Sequence, residues 1–331
     1  MLQRARASRW VRCALLVLIV GCCAYGMVRE WPEVRPSLAR LHVYSLAGSL
    51  MAATAASACM MLAWRAVLAD LGSRLPVLTA ARVTFISQLG KYVPGAIWSF
   101  AAHVELGHDY EVPRRRGAAS VLVSVAVAVA VGLLIAAITL PLVSPAVARR
   151  YVLVLLAVPV IAVCLAPPVL SRLIGLGLRL CRQPPLEQPV SWRGLGIVLA
   201  WTTAGWLFLG LQVWLLVADV ARDGVRSLLL SLAAYALACS LALLLVVFPN
   251  GIGARELILV AALAPLLPSG PALAVALVAR LVATVSDLTW GLIALLIGRV
   301  SLAATPRPAI QAGTSPGDPS PAQPRGQSQS A

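Results

Sequence analysis

The stretch Gln88–Trp98, QLGKYVPGAIW, decides how the rest of the chain is read. It sets Lys91, the only lysine present, beside Tyr92, a Pro94–Gly95 pair and Trp98, between long apolar runs. Proline lacks the amide proton that a helical ladder needs, and glycine adopts backbone angles closed to other residues. A helix entering this stretch is therefore predicted to stop there. Inside a bilayer such a break is tolerated only where it faces protein or a water-filled cavity. Two readings are open: a cytoplasmic loop between ordinary spans, or a discontinuous, re-entrant element lining a polar cavity. The second is favoured, because a comparable break with Pro249, Gly251 and Gly253 recurs in FPNGIGARE, Phe248–Glu256.

Around these breaks the composition is that of an integral membrane protein. Of 331 residues, 60% are hydrophobic and only 12% are charged, about half the charged share of a soluble domain. A formal net charge of +15 raises the question of nucleic acid. The arginines form short clusters between apolar runs instead of a basic face, which is the pattern of topology determinants and contacts to anionic lipid. Six of the seven cysteines lie in or beside apolar runs and have no His or carboxylate at ligand spacing, so they read as small hydrophobes. His103 and His108 lack a third ligand at a recognisable spacing, and neither a metal nor any other cofactor is expected.

Read in order, residues 1–10 carry Arg4, Arg6 and Arg9 and are placed in the cytoplasm by the positive-inside rule. A transmembrane domain is expected over residues 11–299, with long spans near 11–28, 43–64, 118–140, 151–170, 194–218, 227–247 and 272–298. Arg114, Arg115 and Arg116 form the densest basic cluster and mark a second cytoplasmic point, so the Pro-Gly element is expected to enter and leave from one side. Residues 300–331, rich in Pro, Ser and Gln, cannot bury apolar area and are expected to be disordered. The expected fold is all-α: a polytopic transmembrane bundle of about 7–8 spans with two interrupted or re-entrant segments. Regions 78–140 and 227–298 share a layout of apolar helix, break, short helix and long span, a plan that recurs in transporters. Whether the two units are parallel or inverted, and on which side the tail lies, stays open.

The charges left at membrane depth are the candidate site. Arg280 and Asp287 stand seven residues apart in one apolar run, on about the same helical face. A charge at mid-span costs about 2.5–17 kcal/mol unless it is paired, hydrated or snorkelling. One account is structural: Arg280 pairs with Glu256, and Asp287 with Arg255 or Lys91. The other is functional: Lys91, Arg255 and Arg280 hold an anionic head group by charge-assisted hydrogen bonds, while Glu105, Glu256 and Asp287 balance charge or gate. Tyr92 and Trp98 mark head-group depth or serve as plain aromatic anchors. No catalytic residue is assigned: the chain shows no phosphate-cradling glycine loop with its lysine, no nucleophile elbow and no HExxH motif. An intramembrane enzyme using His103, Glu105 or Asp287 is the weaker alternative.

At its two breaks the sequence resembles the transmembrane part of lysylphosphatidylglycerol synthases, a flippase-like family that includes stand-alone members. The resemblance rests on QLGKYVPGAIW, on FPNGIGARE and on the late span with Arg280 and Asp287, within a core of about residues 10–300. The second break carries Pro-Asn-Gly where Pro-Gly-Gly is the commoner family form. The resemblance implies a protein of the bacterial cytoplasmic membrane that moves or presents a phospholipid or lipid-linked anionic intermediate, with membrane lipids as partners. After Arg299 only the polar tail follows, so no synthase activity is expected. The competing expectation is a non-transporting membrane partner of an envelope-lipid or glycan biosynthesis enzyme.

Overall fold

The computed structural model describes residues 32, 34–92, 98–143, 163, 166–180, 191–221, 224–244 and 253–304. Every regular element among them is helical. The long helices are α1 (Val43–Asp70), α4 (Arg114–Val143), α6 (Trp192–Ala218), α7 (Gly224–Leu244) and α9 (Ser269–Ala304). Between them lie the short helices α2 (Val77–Leu89), α3 (Trp98–His108), α5 (Pro167–Leu180) and α8 (Ala254–Leu263), with a 3-10 turn at Gly90–Tyr92. Five helices among the described residues are long and apolar enough to cross a membrane, and they coincide with five of the expected spans. The expected spans at 11–28 and 151–170 fall wholly or mostly outside the described residues, as do the tail beyond 304 and the break residues Pro94, Gly95, Pro249 and Gly251.

Two expected boundaries are corrected. The helix expected to end at Trp64 continues to Asp70. Its last turns keep their polar groups satisfied: Arg65 Nε donates to the Leu75 carbonyl at 2.7 Å, and Asp70 Oδ2 accepts from the Ser191 amide at 2.8 Å. Asp70 thereby ties the end of α1 to the start of α6. At the other end of the chain α9 runs on to Ala304, past the expected limit at Arg299.

The bundle is apolar inside and outside, and residue size distinguishes the two faces. On α9 the exposed positions include Leu281, Val285, Leu288, Leu292 and Leu296, a stripe at three- and four-residue steps. The buried positions include Ala272, Ala274, Val275, Ala276, Ala279, Val282, Ser286 and Ala294, mostly small. Large aliphatics outside and small residues inside is the arrangement expected where lipid is the solvent, because close packing and not apolar burial drives helices together there. The same rule makes α1 and α6 a tight pair, with Ala52, Ala53 and Ala56 buried on α1 and Gly205 buried on α6 against Met60, while Gly210 of α6 admits Leu232 of α7.

The short helices are cut where the sequence places its breaks. At 1.5 Å per residue, α2 (13 residues), α3 (11 residues) and α8 (10 residues) reach roughly 15–20 Å, well short of a ~30 Å hydrocarbon core. The end of α2 folds onto the start of α3, since a Cβ on Gly90 would lie 3.1 Å from the Ser99 backbone. Gly253 begins α8 with φ of 86°, a conformation glycine adopts without a side-chain clash. Helix, break, short helix and long helix recur in α2–α4 and α7–α9, although α7, with 21 residues, is much longer than α2.

The glycines of α6 allow a stability test. A Cβ on Gly210 would meet the Leu232 Cα at 2.9 Å, a backbone atom that cannot turn aside. A Cβ on Gly205 would meet only the Met60 side chain, with its Cε at 2.9 Å. Gly210→Ala is expected to lower stability by about 1–3 kcal/mol and Gly205→Ala by clearly less, as measured by thermal unfolding of the detergent-solubilised protein.

Candidate functional site

The charged residues converge on α9. Arg280 and Asp287 lie on the side of that helix opposite its leucine stripe and line a cavity of about 200 Å³. α1 supplies the cavity with Ala53, Ala56, Ser57 and Met60; α6 supplies Leu209 and Gln212, and α7 supplies Tyr235 and Cys239. The two breaks bring in the rest: Gln88, Lys91 and Tyr92 from the first, Arg255 from the second.

Each charge of α9 is met by a residue of opposite sign from a different break. Lys91 Nζ forms an ion pair with Asp287 Oδ2, and the Tyr92 hydroxyl donates to the same oxygen at 2.8 Å. Arg280 Nη1 donates to Glu256 Oε1 at 2.8 Å. The pair expected of Arg280 with Glu256 is thus formed, and of the two partners expected for Asp287, Arg255 or Lys91, it is Lys91 that takes it. They are unequally buried: the Asp287 and Glu256 side chains are 9% and 13% exposed, against 26% and 25% for Lys91 and Arg280. The carboxylates sit deeper, and the cations keep a solvent-accessible flank.

Local chain geometry at the second break aims adjacent residues in different directions. Glu256 stands in the first turn of α8, where its Oε2 accepts from the Gly253 amide at 2.8 Å. A carboxylate there satisfies an otherwise free helix N-H and complements the positive end of the helix dipole. Its other oxygen remains for Arg280. Arg255, one residue earlier, reaches α7 instead: its guanidinium donates to the Tyr235 hydroxyl and lies 4.5 Å from the centre of that ring. Among the described residues no carboxylate lies within ion-pairing distance of Arg255.

Three of the charged or aromatic sequence candidates do not line the cavity: Glu256, which meets it only through Arg280, Trp98 and Glu105. Trp98 is 58% exposed at the start of α3. Glu105 accepts from Arg114 Nη2 at 2.8 Å on the surface, and that guanidinium holds its carboxyl below the usual range. His103 packs edge-on against Trp64 with ring centres 4.3 Å apart. Hence His103, Glu105 and Asp287, grouped above for an intramembrane enzyme, occupy three different surroundings.

Sequence reasoning missed Gln212, Tyr235 and Ser286. Gln212 is the only amide side chain in the apolar run 194–218, and a lone polar group inside a span was signal enough to single it out. Its Nε2 donates to the Ala279 carbonyl at 2.8 Å, whereas its Oε1 is buried and has no hydrogen-bond partner among the described residues. Ser286 Oγ is likewise buried and unpartnered among the described residues.

Two comparisons with known proteins bear on this arrangement. Residues 9–291 match the family model described as the lysylphosphatidylglycerol synthase TM region. No curated protein matches the chain.

The Lys91–Asp287 pair predicts a non-additive mutational response. Lys91→Met strands a buried carboxylate and is expected to lower stability by ~3 kcal/mol, the low end for a broken buried pair because Lys91 is partly exposed. Adding Asp287→Asn removes that stranded charge and is expected to restore most of the loss in thermal unfolding.

Proposed function

The chain belongs to the lysylphosphatidylglycerol synthase TM-region family, and from that premise we propose that it moves a phospholipid or lipid-linked anionic intermediate across a bacterial cytoplasmic membrane. The observation that carries this reading is a polar cavity with three cations inside a bundle whose outer surface is made for lipid. Charge at membrane depth is costly and is kept where a pathway needs it.

On this reading the two breaks are re-entrant half-helices, in keeping with their lengths and with the hairpin closure of α2 on α3. The mechanism is exchange of partners. A phosphate entering the cavity competes with Asp287 for Lys91 and with Glu256 for Arg280, offering each cation an anion in place of the one it leaves. Each exchange loosens one tie between α9 and a break. The Lys91 tie joins α9 to the first break and the Arg280 tie joins it to α8, so a bound head group alters how both short elements are held. Acyl chains stay in lipid beside the bundle while the head group crosses through protein. No covalent step is required.

One observation favours the competing reading of a non-transporting partner protein: both carboxylates already have cationic partners, so the network is complete as a structural brace. Proteoliposomes separate the two. Fluorescent anionic phospholipid should equilibrate between leaflets at least tenfold faster with wild-type protein than with a folded Lys91→Met/Asp287→Asn variant. Equal rates in the two preparations, each above protein-free vesicles by no measurable margin, would sink the transport reading.

A further inference from the structure

Hydrogen bonds at the helix ends sort the described elements onto two faces. At one face the end of α1 meets the start of α6, where the Ser191 amide donates to Asp70 at 2.8 Å. Arg116, in the first turn of α4, donates to the Gly72 carbonyl at 3.2 Å, and Arg82 of α2 donates to Tyr110, between α3 and α4, at 2.9 Å. Arg114, Arg115 and Arg116 open α4 and Arg193 opens α6, so this face is the cytoplasmic one. At the other face Asp219, just past α6, accepts from the His42 amide and from Ser45 Oγ at the start of α1, both at 2.9 Å. Trp214 of α6 donates to Ser227 of α7 at 3.1 Å, and α7 therefore starts from that external face.

The direction of α9 follows from its contacts with α2. Asp287 meets Lys91 and Tyr92, just past the end of α2. Gly291 packs on Leu89, and Trp290 stacks on Phe85 with ring centres 4.4 Å apart. Further on, Ala294 belongs to the buried cluster of Leu75 and Ala80. Positions rise along α9 as they fall along α2, so the two helices are antiparallel. α2 leaves the cytoplasmic face, and α9 therefore runs from the external face towards the cytoplasm. α8 lies against the first part of α9, with Glu256 on Arg280, and joins it through the turn after Leu263. α8 thus runs outward from the cavity. The α2–α3 unit starts and finishes at the cytoplasmic face, and α7 and α8 start and finish at the external one. The two units are inverted, a plan in which a central site is reached from either side in turn.

Arg280 and Asp287 stand about 10 Å apart along α9, at 1.5 Å per residue. Arg280 is the nearer to the external face and is held by α8; Asp287 is the nearer to the cytoplasm and is held by the turn that ends α2. We infer that the cavity has one ion-pair latch for each face. Lys91–Asp287, backed by the Tyr92 hydroxyl, holds it closed towards the cytoplasm, and Arg280–Glu256 holds it closed towards the exterior. Separate side chains carry the two closures, so one can part while the other stays made. The sidedness rests on helix packing alone and stands without the transport reading, which it extends.

Cys239 lines the cavity and serves as a native reporter, because a thiol kept from water reacts slowly. The full chain with its other six cysteines replaced by alanine is reconstituted in vesicles, and a membrane-impermeant methanethiosulfonate is added from one side at a time. Asp287→Asn is expected to speed Cys239 labelling from the cytoplasmic side about tenfold, as when a minor open state rises from ~1% to ~10%, with the external rate unchanged. Glu256→Gln should do the reverse. Tyr92→Phe and Arg280→Lys, milder cuts to the same ties, stand in for a variant that does not fold. A second readout needs no latch variant: with Cys239 also replaced, Asp109→Cys after α3 should label from the cytoplasm and Ala264→Cys after α8 from outside. Both turns labelling from one face overturns the inference. So does a latch variant that speeds labelling from the wrong face or from both alike, or no change in any folded variant. Side-specific labelling in a protein that moves no lipid would uphold the latches and remove the transport reading.

Discussion

A bilayer has no water with which to compensate a bare charge, and the described part of the molecule is arranged around that constraint. α9 carries a cation and an anion two turns apart inside a run of leucine, valine and alanine. Each must find a partner from another element or the helix cannot remain at that depth. Lys91 arrives from the turn that ends α2, Glu256 from the first turn of α8. Long helices cannot readily supply such partners without placing more charge in lipid. Short helices whose ends face protein can, because the polar groups at those ends are met by protein and not hydrocarbon.

The same economy explains why the second break is so compact. Within Gly253–Glu256 the chain turns with a positive φ, starts a helix, satisfies an orphan amide and sends two opposite charges to two different helices. Glu256 serves the helix start with one oxygen and Arg280 with the other. Arg255 is left with an aromatic partner, and the charge balance of the cavity tips positive for that reason. The ion pairs that tie α9 to the turn after α2 and to α8 are thus formed by side chains that line or adjoin the cavity.

Much of this was legible in the chain. The apolar runs returned as five long helices because bilayer thickness sets their length independently of tertiary detail. The breaks announced themselves through proline and glycine, and Arg280 and Asp287 through their cost. Trp98 and Glu105 were drawn in by their place in the stretch next to the break, yet Trp98 faces outward and Glu105 pairs with Arg114 at the surface. Gln212 and Tyr235 contribute as much to the cavity as some of the charged residues, and they were passed over because each stands alone in an apolar span far from either break.

By itself the sequence determined membership in the membrane class, the placement of the long helices, the two points where helices stop, and a short set of charges too costly to be incidental. Those follow from local rules: hydrophobic length, backbone chemistry and the price of desolvation. Only the tertiary structure decided which charge met which, since Lys91 and Asp287 are 196 positions apart and Arg280 and Glu256 are 24 apart. It alone left Arg255 without a carboxylate partner, and Gln212 Oε1 without a donor, among the described residues. Pairing depends on how α1, α6, α7 and α9 pack through their small residues, and no spacing along the chain encodes that geometry.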